Sequence, residues 1–357
     1  MEEKTFTEET QQQTYKTICA KLGIIMCAYF ICRYIAALAI HYIAEKGGSA
    51  LGAVPLYAIS SLIQVALVYV IPIWITAVLL KNISYHAKTP GWLQSLYKKP
   101  KRLAKKLGNF PAMYGLAQSV NFLTILAFYL ISVISRTVGE GIELERFFSP
   151  AVSETPHDLT STLILVFIMV IIAPLLEEFW VRGLLYDALK TYGNGTAIII
   201  SSVMFGLMHG SINMLFYTTA LGFALGYIRY ATDSLFVVTI LHLIINAVAG
   251  VMLFLLSLAD IAGGDNQVIN TLVNIYMLVI LVMVIIGLAA MIKKIPVIKK
   301  YRIANDWPEI SAKKKMALFI TSAPVIIMLL LAIETHANYQ LLGKALEGLF
   351  AMAPFTL

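Results

Sequence analysis

Residues 22–44 form an apolar run broken by one formal charge, Arg33. At ~1.5 Å per residue a helix of that length reaches about 34 Å, enough to cross the ~30 Å hydrocarbon core of a bilayer. Comparable runs follow at 54–80, 112–135, 159–190 (apolar as far as Leu176), 196–210, 212–229, 234–259, 267–292 and 316–334. Lipid offers no hydrogen bonds to a backbone, so only helices and closed barrels can span it. Barrel strands would alternate apolar and polar residues, and no such alternation is present. The expected fold is all-α, a polytopic membrane helix bundle of about eight to nine transmembrane helices.

Composition agrees. Apolar residues make up 59% of the chain and charged residues 13%, with a mean hydropathy of +0.80. A soluble domain carries about twice that charge, so a soluble enzyme, a disordered chain and a nucleic-acid module are excluded. The net charge of +7 sits in two clusters. Eight Lys/Arg lie between Lys81 and Lys106, and eight between Lys293 and Lys315. Both fall between apolar runs, where cytoplasmic loops concentrate positive charge, although a patch for anionic lipid would look the same. This orientation puts the N-terminus inside. Segment 136–158, with five acidic residues against Arg136 and Arg146, then lies outside. Residues 1–16 are polar, with four Glu and two Lys, and lack the basic start of a signal peptide, so 22–44 is expected as a retained span. Cys19, Cys27 and Cys32 show no metal spacing and are expected as small packed apolar residues. Pro72 and Pro174 should kink their helices. Arg33 needs the bundle interior or a carboxylate partner.

Ionisable residues inside spans are costly and mark candidate sites. Here they fall in three places: Glu177-Glu178-x-x-x-Arg182, Phe205-x-x-x-His209 and His242-x-x-x-Asn246, each expected on a helix. Glu178 and Arg182 are i,i+4 and should pair on one face. Glu177 points ~100° away and remains open to other work. His242 and Asn246 share a face, and Phe205 can wall the site beside His209. Counted from the turns at 191–195 and 231–234, Glu177 and His209 lie up to ~21 Å deep, Asn246 ~18 Å and His242 ~12 Å. Three helices thus deliver polar groups to similar depth. A glutamate and an imidazole can deprotonate a water, and an imidazole and an amide can donate to an oxyanion. Equally, Glu177, His209 and His242 could be three ligands of a catalytic zinc with an open fourth position. Taken singly, each piece could also be structural: a packing histidine or an ion pair that fixes a helix.

At these residues the chain resembles the CPBP family, which groups CAAX prenyl endopeptidases with bacteriocin-processing and self-immunity proteins. The three motifs match E-E-x-x-x-R, F-x-x-x-H and H-x-x-x-N/B, in order, within about residues 159–260. The resemblance implies an intramembrane endopeptidase with its site open toward the cytoplasm. Glu177 would be the catalytic base, working with His209 on water. His242 and Asn246 would form the oxyanion site, while Glu178 and Arg182 would organise the helix. Both a metalloprotease and a metal-free glutamate mechanism are attached to the family. The metal-free form is preferred, with no cofactor and zinc as the alternative. Substrates implied are membrane-associated or short hydrophobic peptides: CAAX-like lipidated tails, pheromone precursors or bacteriocin precursors. The expected organisation is a catalytic core at 151–262, flanked by accessory helices at 1–150 and 263–357, in a membrane such as the bacterial plasma membrane. Membrane lipid is the other expected partner, and nucleic acid is not one. A non-catalytic binding protein, an immunity factor or a regulator of a membrane kinase, is the competing reading. A proton-relaying transporter would want paired broken segments, which are absent.

Overall fold

The structure is a computed structural model that describes residues 8–81, 92–137, 156, 158–300 and 310–336. No strand occurs among the described residues. The helices are α1 (Glu8–Leu51), α2 (Ala53–Leu80), α3 (Phe110–Thr137), α4 (Leu159–Lys190), α5 (Asn194–Leu207), α6 (Ile212–Thr232), α7 (Leu235–Ile261), α8 (Gln267–Lys300), α9 (Ala312–Ile320) and α10 (Ala323–His336). Two short turns, Trp92–Leu96 and Leu103–Leu107, lie between α2 and α3. Most of the expected outside segment 136–158, and parts of both lysine-rich loops, lie outside the described residues.

Among the described residues six helices are long and apolar enough to cross a membrane, and α9 with α10, bent by 67°, would make a seventh. The chain is an integral membrane protein. The count of eight to nine read from the sequence is therefore approximate, and the difference includes the α5–α6 hairpin. α5 has 14 residues, ~21 Å, too short for the ~30 Å core. It is apolar because it faces protein: Ala197, Ile200, Ser201, Met204 and Phe205 are fully buried. α6 folds back along it, with Gly222 and Gly226 against Ser202 and Ile198. The last span expected, 316–334, is broken at 321–322 rather than continuous.

α1 packs on α2 and α10, α3 on α8 and α6, and α7 on α4. The α3–α8 crossing is close because Gly115 and Gly287 meet backbone to backbone. Pro72 and Pro174 each follow a π-helical turn. Ala66–Val70 ends two residues before Pro72, and Ile168–Ile172 ends two residues before Pro174. Proline removes an N–H donor and crowds the carbonyl four residues back, and widening the preceding turn relieves both. A third π-helical turn, Phe179–Leu185, carries Arg182.

Candidate active site

The middle of α4 is surrounded by α2, α5, α6 and α7. Glu177, Glu178 and Arg182 are buried there, the last two completely. Glu178 Oε1 accepts from Arg182 Nη1 at 3.0 Å and lies 2.8 Å from His242 Nδ1 on α7. A carboxylate can only accept, so Nδ1 of His242 carries the hydrogen. Its Nε2 turns toward Glu177, 3.8 Å from Oε2. The other oxygen of Glu177 accepts from the Tyr69 hydroxyl at 2.8 Å. Arg182 also reaches the Gly222 carbonyl at 3.3 Å, and its guanidinium lies 4.3 Å from the centre of the Phe205 ring. A buried ion pair must satisfy its remaining donors and acceptors to offset desolvation; these two contacts meet part of that demand, while Arg182 Nε and Glu178 Oε2 are buried without a hydrogen-bond partner.

Phe205 stands between the two imidazoles. Its ring meets His209 edge-on at 4.9 Å and His242 at 5.7 Å. His209 lies beyond the end of α5, in the 208–210 turn, and not on a helix as its motif suggested. Its Nδ1 donates to the Phe205 carbonyl at 2.8 Å, leaving Nε2 for other contacts. The turn requires Gly210, at φ +65°. It is held from α1: Tyr29 donates to the Met208 carbonyl at 2.6 Å, and Arg33 Nη1 donates to the same oxygen at 2.7 Å. Arg33 therefore faces the interior and meets a backbone carbonyl there. Asn246 lies one turn along α7 from His242, and its Nδ2 donates to the Met169 carbonyl of α4 at 2.8 Å.

The structure thus gathers Glu177, Glu178, Arg182, Phe205 and His242 into direct contact. It sets His209 against Phe205 and ties Asn246 to the neighbouring backbone. Sequence reasoning missed Tyr69 and Tyr29. The signal for both was general: a phenol in an apolar span needs a hydrogen-bond partner. Among the described residues no three His, Cys, Asp or Glu side chains are grouped closely enough to hold a metal ion. Two zinc ligands at ~2.0–2.1 Å stand about 3.4 Å apart, and His242 and Glu177 stand 3.8 Å apart.

Residues 159–248 match the model of the Rce1-like family, type II CAAX prenyl endopeptidase Rce1-like. A stretch of 138 residues is 28% identical to a Bacillus subtilis protein named "Putative membrane peptidase YdiL". That stretch is 37% of this chain and 57% of the relative, so the likeness spans just over half of the relative's length. No solved structure matches the chain. The matched segment begins at α4, ends in α7 and contains all three motifs, so this helical core is similar to the Rce1-like CAAX prenyl endopeptidase family, the CPBP type that the motifs resemble.

Proposed function

We propose that the chain is an intramembrane endopeptidase that cleaves a membrane-associated or short hydrophobic peptide, at a site open toward the cytoplasm. The observation that carries this reading is the pair of facing atoms Glu177 Oε2 and His242 Nε2, 3.8 Å apart, contributed by helices long and apolar enough to cross a membrane. One water can bridge such a gap. Glu177 takes a proton from that water, with His209 as the second contact, and the hydroxide adds to the scissile carbonyl. The carbonyl oxygen becomes an oxyanion, stabilised by His242 Nε2–H and the second Nδ2 hydrogen of Asn246. Donation from Nε2 uses the doubly protonated ring, with Glu178 as counter-charge on Nδ1. The C–N bond then breaks, Glu177 returns its proton to the leaving amine, and an acid and an amine are released. Glu178 and Arg182 fix the ring and the helix without entering the reaction.

No step uses a metal, and the preference for a metal-free mechanism rests on the ungrouped donor set. Lipidated tails and pheromone-like peptides are the substrate classes proposed, because the site lies among lipid-facing helices. The test compares new peptide termini in membranes of cells expressing wild type or Glu177→Ala at matched abundance. A terminus present only with wild type is the expected result. Identical termini, with function retained in the variant, would replace this reading by that of a binding or immunity factor.

A further inference from the structure

The π-helical turn in α4 leaves one backbone carbonyl without a helical donor. The Ala173 N–H bonds Ile168 O, five residues back. In that register the donor for Met169 O would be residue 174, which is proline and has no N–H. An unsatisfied carbonyl inside a membrane protein is costly. The oxygen is instead met by Asn246 Nδ2 at 2.8 Å. One turn further along α7, Gly250 makes this reach possible. A Cβ there would lie 2.6 Å from Val170 Cγ2 and 3.3 Å from Met169 Cε. His242, Asn246 and Gly250 are i, i+4 and i+8, so one stripe of α7 follows α4 from its carboxylates to its proline break.

We propose that Asn246 is a positioning residue: it caps the carbonyl that Pro174 orphans, and so fixes the register of α4 that sets Glu177 against His242. One amide hydrogen does this, and the other remains for the oxyanion role assigned above. The proline break and the asparagine are then one device. An α4 with a residue other than proline at 174 would supply its own donor and need Asn246 less.

The test is a double-mutant cycle on the purified full chain in detergent, with wild type, Asn246→Ala, Pro174→Ala and the double variant. Two readouts are taken at each corner: the melting temperature, and kcat and KM on the peptide found in the terminus comparison. Asn246→Ala is expected to lower both melting temperature and kcat, with KM little changed. In the Pro174→Ala background the melting loss should fall by more than half, because the restored N–H serves Met169 O, while the kcat loss should shrink only by its positioning share, the oxyanion donor being absent in both backgrounds. Equal melting losses in the two backgrounds would overturn the proposal. So would a loss of kcat with an unchanged melting temperature, which is the signature of an oxyanion donor alone. If Pro174→Ala does not fold, Gly250→Ala takes its place, since it pushes α7 off α4. There the added cost of Asn246→Ala should again shrink, and a full cost would overturn the proposal. The turnover arm rests on the endopeptidase reading, while the melting arm does not. A chain that cleaves nothing therefore defeats that reading and leaves this one decided by melting.

Discussion

Glu178 and His242, 64 residues apart in sequence, meet through Oε1 and Nδ1 at 2.8 Å with both side chains buried. The same oxygen holds Arg182. One carboxylate therefore joins α4 to α7 and sets the ring whose other nitrogen faces Glu177. A buried carboxylate on one ring nitrogen fixes an imidazole for work at its far nitrogen.

Removing the cation should be more damaging than its distance from the reacting atoms suggests. Arg182→Met keeps most of the volume but leaves Glu178 charged and buried beside one imidazole. Loss of one partner of such a pair costs about 3–5 kcal/mol. The expected outcome is a sharp fall in melting temperature in detergent. Arg182→Lys should recover part of it, because a lysine keeps the charge but loses the guanidinium geometry that reaches Glu178 and Gly222 together.

Tyr69→Phe removes one hydroxyl from Glu177 and leaves the ring in place. A hydrogen bond to a charged group is worth about 1.5–3 kcal/mol, so kcat should fall by roughly 10- to 100-fold. KM should change little, since Tyr69 holds the base and not the peptide. A near-wild-type kcat would show that Glu177 is positioned well enough by α4 alone.

Arg33 and Tyr29 hold the turn that presents His209. Arg33→Leu should leave the Met208 carbonyl to Tyr29 alone and lower turnover by about tenfold, the order expected for one charge-assisted hydrogen bond. Arg33→Lys should keep more activity than Arg33→Leu. Hydrogen exchange at residues 208–211 checks the cause: it should rise in the leucine variant and stay near wild type in helix α7.

Metal removal gives the fourth expectation. Because Glu177, His209 and His242 are not grouped as ligands, cleavage should persist after treatment with a strong chelator and dialysis. Activity that disappears with the chelator and returns with zinc would replace the glutamate mechanism by a metal one.

The membrane class was legible because lipid imposes a simple demand: each span must satisfy its own backbone and be apolar for about 20 residues. The three polar clusters were legible for the converse reason, since each charge within an apolar run is costly. The Glu178–Arg182 pair needed only helical spacing, and the structure shows it at 3.0 Å. Run length alone did not separate a lipid-facing span from a buried helix. Thus the short α5 was counted as a crossing, and His209 was put on a helix that ends at Leu207.

What the amino-acid sequence determined by itself was local: which segments are helical, where prolines interrupt them, and which polar groups need partners. Only the tertiary structure decided who those partners are. Tyr69 on Glu177, Met208 O for Arg33 and Met169 O for Asn246 are contacts between helices 77 to 175 residues apart. Helical periodicity fixes a side chain's face but not the neighbour that face will meet. That choice follows from how the helices pack, here through glycines such as Gly250 and Gly222 that let backbones approach within hydrogen-bonding reach of a side chain.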